Sequence, residues 1–170
     1  MKHFKKPAVF LDRDGTINYD YKYVHKFSNF RFRHNVVKGL KYLYKNKYLI
    51  FVVTNQAGIA KGKFKVSDLE ILHKKLLSYL KKRKVIISAI EFCPFHPKGI
   101  IKKYKKKSSY RKPGNMMIKK IVKEWNVDIK KSFMLGDNKK DELAAKKTKL
   151  YFEYVKSDFY LQVKKILRRN

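Results

Sequence analysis

The chain has 170 residues, of which 44% are hydrophobic and 15% aromatic, a composition that predicts one folded domain and excludes a disordered tail. Its one cysteine, Cys93, excludes an intramolecular disulfide, and no apolar segment has the length of a signal peptide or membrane span, so we expect a cytoplasmic protein. The formal net charge of +31 favours binding to polyanions, but the 37 lysines and 7 arginines are spread along the whole chain and match the codon drift of an A+T-rich genome.

The hydrophobic pattern predicts strands that alternate with helices. The predicted strands are short and apolar: Ala8–Leu11, Tyr48–Val53, Val85–Phe92, Ser132–Leu135 and Leu150–Val155. The predicted helices have one apolar face: Lys38–Lys47, a helix capped by Ser67 with Glu70 closing the capping box and continuing to Leu80, Met116–Trp125, Asp141–Lys147 and Phe159–Leu167. Prolines and glycines predict a loop over residues 94–114. The alternation predicts an α/β fold with a mostly parallel central sheet, in a single domain of residues 1–170.

Three of the predicted strands are followed by unusual polar groups. Asp12 and Asp14 follow the first strand, Thr54-Asn55-Gln56 follow the second, and Gly136-Asp137 follow the fourth. Because ligands of such sheets bind outside the carboxyl ends of the strands, we expect these groups to converge on one crevice.

The chemistry of these residue types suits phosphoryl transfer. A carboxylate on Asp12 can attack phosphorus if a magnesium ion, held by Asp12 and Asp137, relieves the repulsion between the two anions. Asp14 is the candidate general acid and base. Thr54 and Lys112 are the candidates to hold the phosphoryl oxygens.

These motifs resemble the haloacid dehalogenase superfamily of phosphotransferases. The residues that carry the resemblance are Asp12–Thr16 (DRDGT), Thr54, Lys112 and Gly136-Asp137. A closer resemblance, over about Ala8 to Ala145, is to the histidinol-phosphatase-like subgroup that contains the D-glycero-D-manno-heptose 1,7-bisphosphate 7-phosphatases. It is carried by Phe10–Asn18 (FLDRDGTIN), Tyr23–His25 (YVH), Val52–Gly62 (VVTNQAGIAKG), Cys93–Pro97 (CPFHP) and Arg111–Pro113 (RKP).

The resemblance implies a Rossmann-like three-layer sandwich with a minimal cap and a monomeric phosphatase that acts on a sugar phosphate in the pathway to lipopolysaccharide core. It also implies that the backbone carbonyl of Asp14 joins Asp12 and Asp137 as a magnesium ligand, and that Asn55 and Arg111 contact the substrate. Supporting roles are implied for Gln56, Asn18 and Asp141, the last through the outer shell of the metal.

The sequence departs from this subgroup in the loop that usually binds structural zinc. Cys93 remains, but Phe95, Ser108 and Tyr110 stand where three ligands are usual. A zinc site needs four Cys or His ligands, so we expect no zinc. Our hypothesis is that Phe95, Tyr104 and Tyr110 pack in place of the metal.

Two alternatives remain open at this stage. The first is a related phosphatase that acts on histidinol phosphate or on DNA 3′-phosphate ends, which would give the net charge of +31 a purpose. The second is a noncatalytic basic binding module on a phosphatase fold. Neither a specific nucleic-acid partner nor a membrane is expected, although nonspecific binding to polyanions at low salt is.

Overall fold

A computed structural model describes residues 5–169, so the ends of the predicted domain, residues 1–4 and 170, lie outside the described residues. The centre is a five-stranded sheet with the order β3-β2-β1-β4-β5, in which neighbouring strands are parallel. The strands are β1 (Ala8–Leu11), β2 (Leu49–Asn55), β3 (Ala89–Cys93), β4 (Phe133–Gly136) and β5 (Tyr151–Tyr154).

Helices cover both faces of this sheet, which confirms the predicted α/β sandwich. They are α1 (Val36–Lys45), α2 (Ala57–Ala60), α3 (Val66–Lys81), α4 (Met116–Trp125), α5 (Lys139–Lys146) and α6 (Phe159–Leu167). None of the helices within residues 5–169 combines the length and the apolar character that a membrane span requires.

The core divides into two main layers because side chains alternate across the sheet. In β1, Val9 and Leu11 pack with α1, α3 and α6 on one face, while Ala8 and Phe10 pack with α4 and α5 on the other. All four side chains are fully buried, as expected for the central strand of a parallel sheet. Because β1 is buried on both faces, the polar residues that follow it can reach solvent only beyond its carboxyl end, at the edge of the sheet.

The structure corrects the bounds of the second and third strands. β2 continues to Asn55 because Thr54 pairs with Phe92 of the neighbouring strand, so the polar residues form the end of the strand rather than a following turn. β3 begins at Ala89 rather than at Val85. Helices α4 and α6 have the predicted bounds, whereas α1, α5, β4 and β5 differ by one or two residues at each end.

The predicted cap of α3 was wrong. The helix begins at Val66, and the backbone N–H of Lys65 donates to Asp68 Oδ2 over 2.8 Å, so Ser67 and Glu70 lie within the helix. Asp68 occupies the position from which a carboxylate reaches back to the cap residue. The four-residue helix α2 was not predicted, since one turn is too short for a periodic pattern.

Truncating Leu40 tests the packing of α1 on the sheet. Leu40 is fully buried, and Leu40→Ala should lower the free energy of unfolding by about 3 kcal/mol through lost burial and a residual cavity. The neighbouring side chain of Lys41 is exposed, so Lys41→Ala should change the free energy of unfolding by less than about 0.5 kcal/mol. Urea unfolding of both variants measures the difference, and equal losses would contradict the predicted packing.

Candidate active site

A polar pocket of about 210 Å³ lies at the carboxyl edge of the sheet, beside the ends of β1, β2 and β4. Seven of the residues predicted from the sequence line it: Asp12, Asp14, Thr54, Asn55, Gln56, Arg111 and Asp137. The other three, Asn18, Lys112 and Asp141, are buried beside it. The structure therefore brings the predicted groups together, as the convergence of parallel strands requires.

Asp12 is the most enclosed carboxylate among the residues that line the pocket, with 4% of its surface exposed. Its backbone N–H donates to Leu135 O over 3.1 Å and so continues the pairing of β1 with β4. Its Oδ1 atom accepts from the backbone N–H of Arg13 at 2.8 Å and lies 2.9 Å from Lys112 Nζ. Asp12 also lines the pocket, where a ligand can reach its carboxylate.

Lys112 is the buried cation of the site, 2% exposed. Besides Asp12, its ammonium contacts Asp141 Oδ1 at 2.7 Å and donates to Val53 O at 2.6 Å. Asn55 fixes its backbone twice: the side-chain amide donates to Lys112 O, and Asn55 Oδ1 accepts from Lys112 N, each over 3.0 Å. The loop that carries Lys112 is thus held to the end of β2.

The electrostatics of the pocket leave its carboxylates incompletely neutralised. Burial raises the pKa of Asp12 from its usual 3.8 to about 6; Lys112 opposes this shift, and Asp141 adds to it. Burial, and then repulsion from Asp141, also raises the pKa of Asp137. Although burial opposes the charge of Lys112, Asp12 and Asp141 raise the pKa of that ammonium, so it stays protonated.

The acidic group fits a hard divalent cation. Asp12, Asp137 and Asp141 each offer a carboxylate oxygen, and these atoms lie within 4.8 Å of one another. Oxygen ligands suit magnesium, and a divalent charge would offset the burial and the repulsion from Asp141 that together raise the pKa of Asp12 and of Asp137. Gly15, at a φ of +83°, brings its loop against this group: a Cβ there would lie 2.2 Å from Asp137 Oδ2.

Asp14 is held by a separate set of donors. Nη2 of Arg13 donates to both of its oxygens at 2.9 and 2.8 Å, and Arg13 Nε donates to Oδ1 at 3.2 Å. Asn18 Nδ2 donates to Oδ1 over 3.0 Å, and Gln56 Nε2 donates to Oδ2 over 2.9 Å. Gln56 also donates to the hydroxyl oxygen of Thr54 at 2.9 Å, which leaves that hydroxyl hydrogen free for another acceptor.

The sequence reasoning missed several residues at the site. Asp20 and Lys140 line the pocket, and buried Arg13 and His73 lie behind Asp14. Arg13 had a signal, because it stands between two candidate catalytic aspartates. No sequence signal pointed to His73, because its place on the apolar face of α3 does not show that it contacts Arg13.

The loop in which we expect no zinc is packed with aromatic side chains. Phe95 and Tyr104 lie with their ring centroids 6.1 Å apart, and Phe95 and Tyr110 pack against the core layer that contains Cys93. Burial raises the pKa of the Cys93 thiol, which favours its neutral form. Arg111 Nη1 donates to Phe95 O over 3.3 Å, so this packing positions a residue of the pocket.

Comparisons with known proteins agree with this geometry. A family model described as polynucleotide kinase 3 phosphatase matches residues 8–164. The D-glycero-beta-D-manno-heptose-1,7-bisphosphate 7-phosphatase of Rhodopseudomonas palustris is 36% identical over 96% of this chain and 91% of its own length. The protein of the same name from Escherichia coli K12 is 40% identical over 82% of this chain and 73% of its own length.

A solved structure shares the fold. The D,D-heptose 1,7-bisphosphate phosphatase of B. bronchiseptica, determined with magnesium and phosphate, superposes with a TM-score of 0.85 over 96% of this chain and 99% of its own. Its sequence identity to this chain is 22%, so the likeness concerns the fold.

Metal analysis tests the aromatic packing of the loop. Because Phe95 and Tyr110 stand where the subgroup that the sequence resembles usually has zinc ligands, the purified protein should contain no stoichiometric zinc, and a zinc-selective chelator that leaves magnesium in place should not change its melting temperature. Elemental analysis and thermal unfolding with and without chelator measure both quantities. One zinc per chain, or unfolding on chelation, would show that the loop is held by metal.

The acid stability of the protein should depend on His73. Burial, and then the charge of Arg13, lowers the pKa of His73 from 6.5 to about 3. As pH falls below 6.5, His73 becomes protonated in the unfolded chain but stays neutral in the native state. The free energy of unfolding therefore falls, by on the order of 3 kcal/mol near pH 4. In His73→Gln the slope of unfolding free energy against pH should be smaller over this range. Denaturant titrations at several pH values measure the slope, and an unchanged slope would contradict the assignment.

Proposed function

The chain belongs to the polynucleotide kinase 3 phosphatase family, within the haloacid dehalogenase superfamily, and we propose that it is a magnesium-dependent phosphatase that removes the 7-phosphate of D-glycero-D-manno-heptose 1,7-bisphosphate. The observation that carries the proposal is Asp12, a buried carboxylate that lines the pocket and whose Oδ1 is bound by Lys112 and by the backbone N–H of Arg13. The relatives that are 36% and 40% identical supply the substrate by their names.

The first half of the reaction transfers the phosphoryl group to Asp12. Oδ2 of Asp12 attacks phosphorus in line, the bond to the sugar oxygen breaks, and Asp14 gives that oxygen a proton. The Thr54 hydroxyl donates to a transferred phosphoryl oxygen, and the positive charge of Lys112 attracts the phosphoryl group. Asp12, Asp137 and the backbone carbonyl of Asp14 would hold magnesium, which would supply charge neutralisation.

The second half releases phosphate. Asp14, now a carboxylate, takes a proton from water as the water attacks phosphorus, and the bond to Asp12 breaks. Gln56 and Asn18 orient Asp14 for both steps through the hydrogen bonds described above. The carboxylate of Asp141 holds Lys112 in place and belongs to the acidic group that would hold the metal.

A second phosphate on the substrate suits the rim of the pocket. Arg111 and Lys140 both line it, and a guanidinium can bind a phosphate through two parallel N–H groups. Asn55 is the proposed contact to the sugar, although its amide also fixes Lys112. In this proposal the enzyme is a cytoplasmic monomer that consists of a single domain.

A DNA 3′-phosphatase is the second candidate. The matching family description names a polynucleotide phosphatase, and a net charge of +31 strengthens binding to any nucleic acid. The basic module without catalysis is disfavoured, because an inactive fold has no need to keep Asp12, Lys112 and Asp137 in one charged pocket.

Phosphate release from heptose 1,7-bisphosphate with magnesium tests the proposed function. Asp12→Asn keeps the shape of the side chain but removes the nucleophile, so it should lower kcat by on the order of a thousandfold or more. The control is Glu124→Gln, an exposed carboxylate on α4, which should keep full activity. Full activity in Asp12→Asn would contradict the assigned nucleophile.

The same assay with a 3′-phosphorylated oligonucleotide separates the two candidates. The proposal predicts a higher kcat/KM for the sugar bisphosphate, and only modest hydrolysis of the oligonucleotide that falls further as salt is raised. A clear preference for the oligonucleotide at physiological salt would reverse the order of the two candidates.

A further inference from the structure

Arg13 is a fully buried cation that lies directly behind the pocket. A buried charge is costly unless its hydrogen bonds are satisfied, and each terminal nitrogen of this guanidinium has a partner. Nη2 and Nε donate to Asp14, Nη2 also donates to Val24 O over 2.6 Å, and Nη1 lies 3.2 Å from His73 Nε2. The position of Arg13 is therefore set by partners on both sides.

The contact with Arg13 defines the state of His73. An arginine has donors and no acceptor, so the histidine nitrogen that faces it must accept, and the imidazole is neutral with its hydrogen on Nδ1. His73 is 6% exposed, and its ring meets Phe92 of β3 edge-on at a centroid distance of 6.0 Å. Packing against β3 and attachment to α3 thus hold the accepting nitrogen in one place.

The consequence is a connected path from α3 to the proposed acid and base. His73 fixes one end of the guanidinium plane, and the other end binds both oxygens of Asp14. A planar guanidinium that is held at Nη1 determines the orientation of the carboxylate it grips. Asn18 and Gln56 hold Asp14 from other directions but do not fix Arg13.

We propose that His73 is a positioning residue for proton transfer: through Arg13, its neutral imidazole holds the Asp14 carboxylate in the orientation that serves the leaving group. The proposal rests on the role of Asp14 in the proposed function. His73 itself touches neither substrate nor metal, so its effect is confined to the two steps in which Asp14 transfers a proton, of which the first is donation to the leaving group.

Substrates with different leaving groups isolate that step. kcat/KM reports events up to formation of the phospho-enzyme, and a sugar hydroxyl needs a proton as it leaves, whereas p-nitrophenolate needs little help. His73→Leu, which has no acceptor for Arg13, should lower kcat/KM for the sugar phosphate by about tenfold or more and that for p-nitrophenyl phosphate by less than about threefold. His73→Gln, whose amide oxygen can accept from Arg13, should recover most of the loss.

Controls separate this inference from a folding defect and from failure of the proposed function. Lys74→Ala, an exposed neighbour on α3, should leave both values unchanged, and thermal unfolding shows that each variant is folded. Equal losses on both substrates, or no recovery in His73→Gln, would overturn the positioning role while leaving the phosphatase in place. If the wild type hydrolyses neither ester in an Asp12-dependent manner, the proposed function and this inference both fall.

Nitrogen NMR of the wild type provides a readout that does not depend on activity. At neutral pH, His73 should carry a proton on Nδ1 and none on Nε2. Its signals are assigned because they disappear from the spectrum of His73→Gln. A proton on Nε2, or a doubly protonated ring, would contradict acceptance from Arg13 and overturn the inference.

Discussion

The buried ammonium of Lys112 is the interaction on which the site depends. It lies between Asp12 and Asp141, within 2.9 and 2.7 Å of their oxygens, and also donates to the carbonyl of Val53 at the end of β2. Two buried carboxylates this close repel each other strongly without a cation between them. Since Asn55 fixes the backbone of Lys112, the charge is set in place by β1, β2 and α5 together. A long flexible side chain thereby becomes a rigid part of the pocket.

Much of this arrangement can be predicted from the sequence, because the carboxyl ends of parallel strands lie along one edge of the sheet. Apolar strands that end in polar residues place those residues along one edge, so the meeting of Asp12, Thr54 and Asp137 needed only the correct strand order. The parallel pairing of the strands and the bounds of helices α4 and α6 agree with the expected pattern. The end of β2 was missed because Thr54 and Asn55 carry no local signal that they pair with β3.

What the sequence could not reveal is the set of contacts between distant elements. His73 reads as part of the buried face of α3, and only the packing of α3 against the β1 loop brings it to Arg13. Lys140 is one of many lysines, and its place on the pocket rim depends on how α5 starts after β4. Local patterns define elements well, whereas long-range polar networks depend on tertiary placement. The same limit applies to the net charge of +31, because composition does not show where on the surface the charged side chains lie.

The central claim is that Asp12 becomes covalently phosphorylated, and chemical trapping tests it most directly. In Asp14→Asn the proposed base for water is missing, while p-nitrophenyl phosphate supplies a leaving group that needs little proton donation, so the phospho-enzyme should accumulate. Borohydride reduces an acyl phosphate to an alcohol, and peptide mass spectrometry then locates the altered residue. We predict homoserine at position 12 and nowhere else. Reduction at another carboxylate, or phosphate release with no trapped residue, would contradict the account.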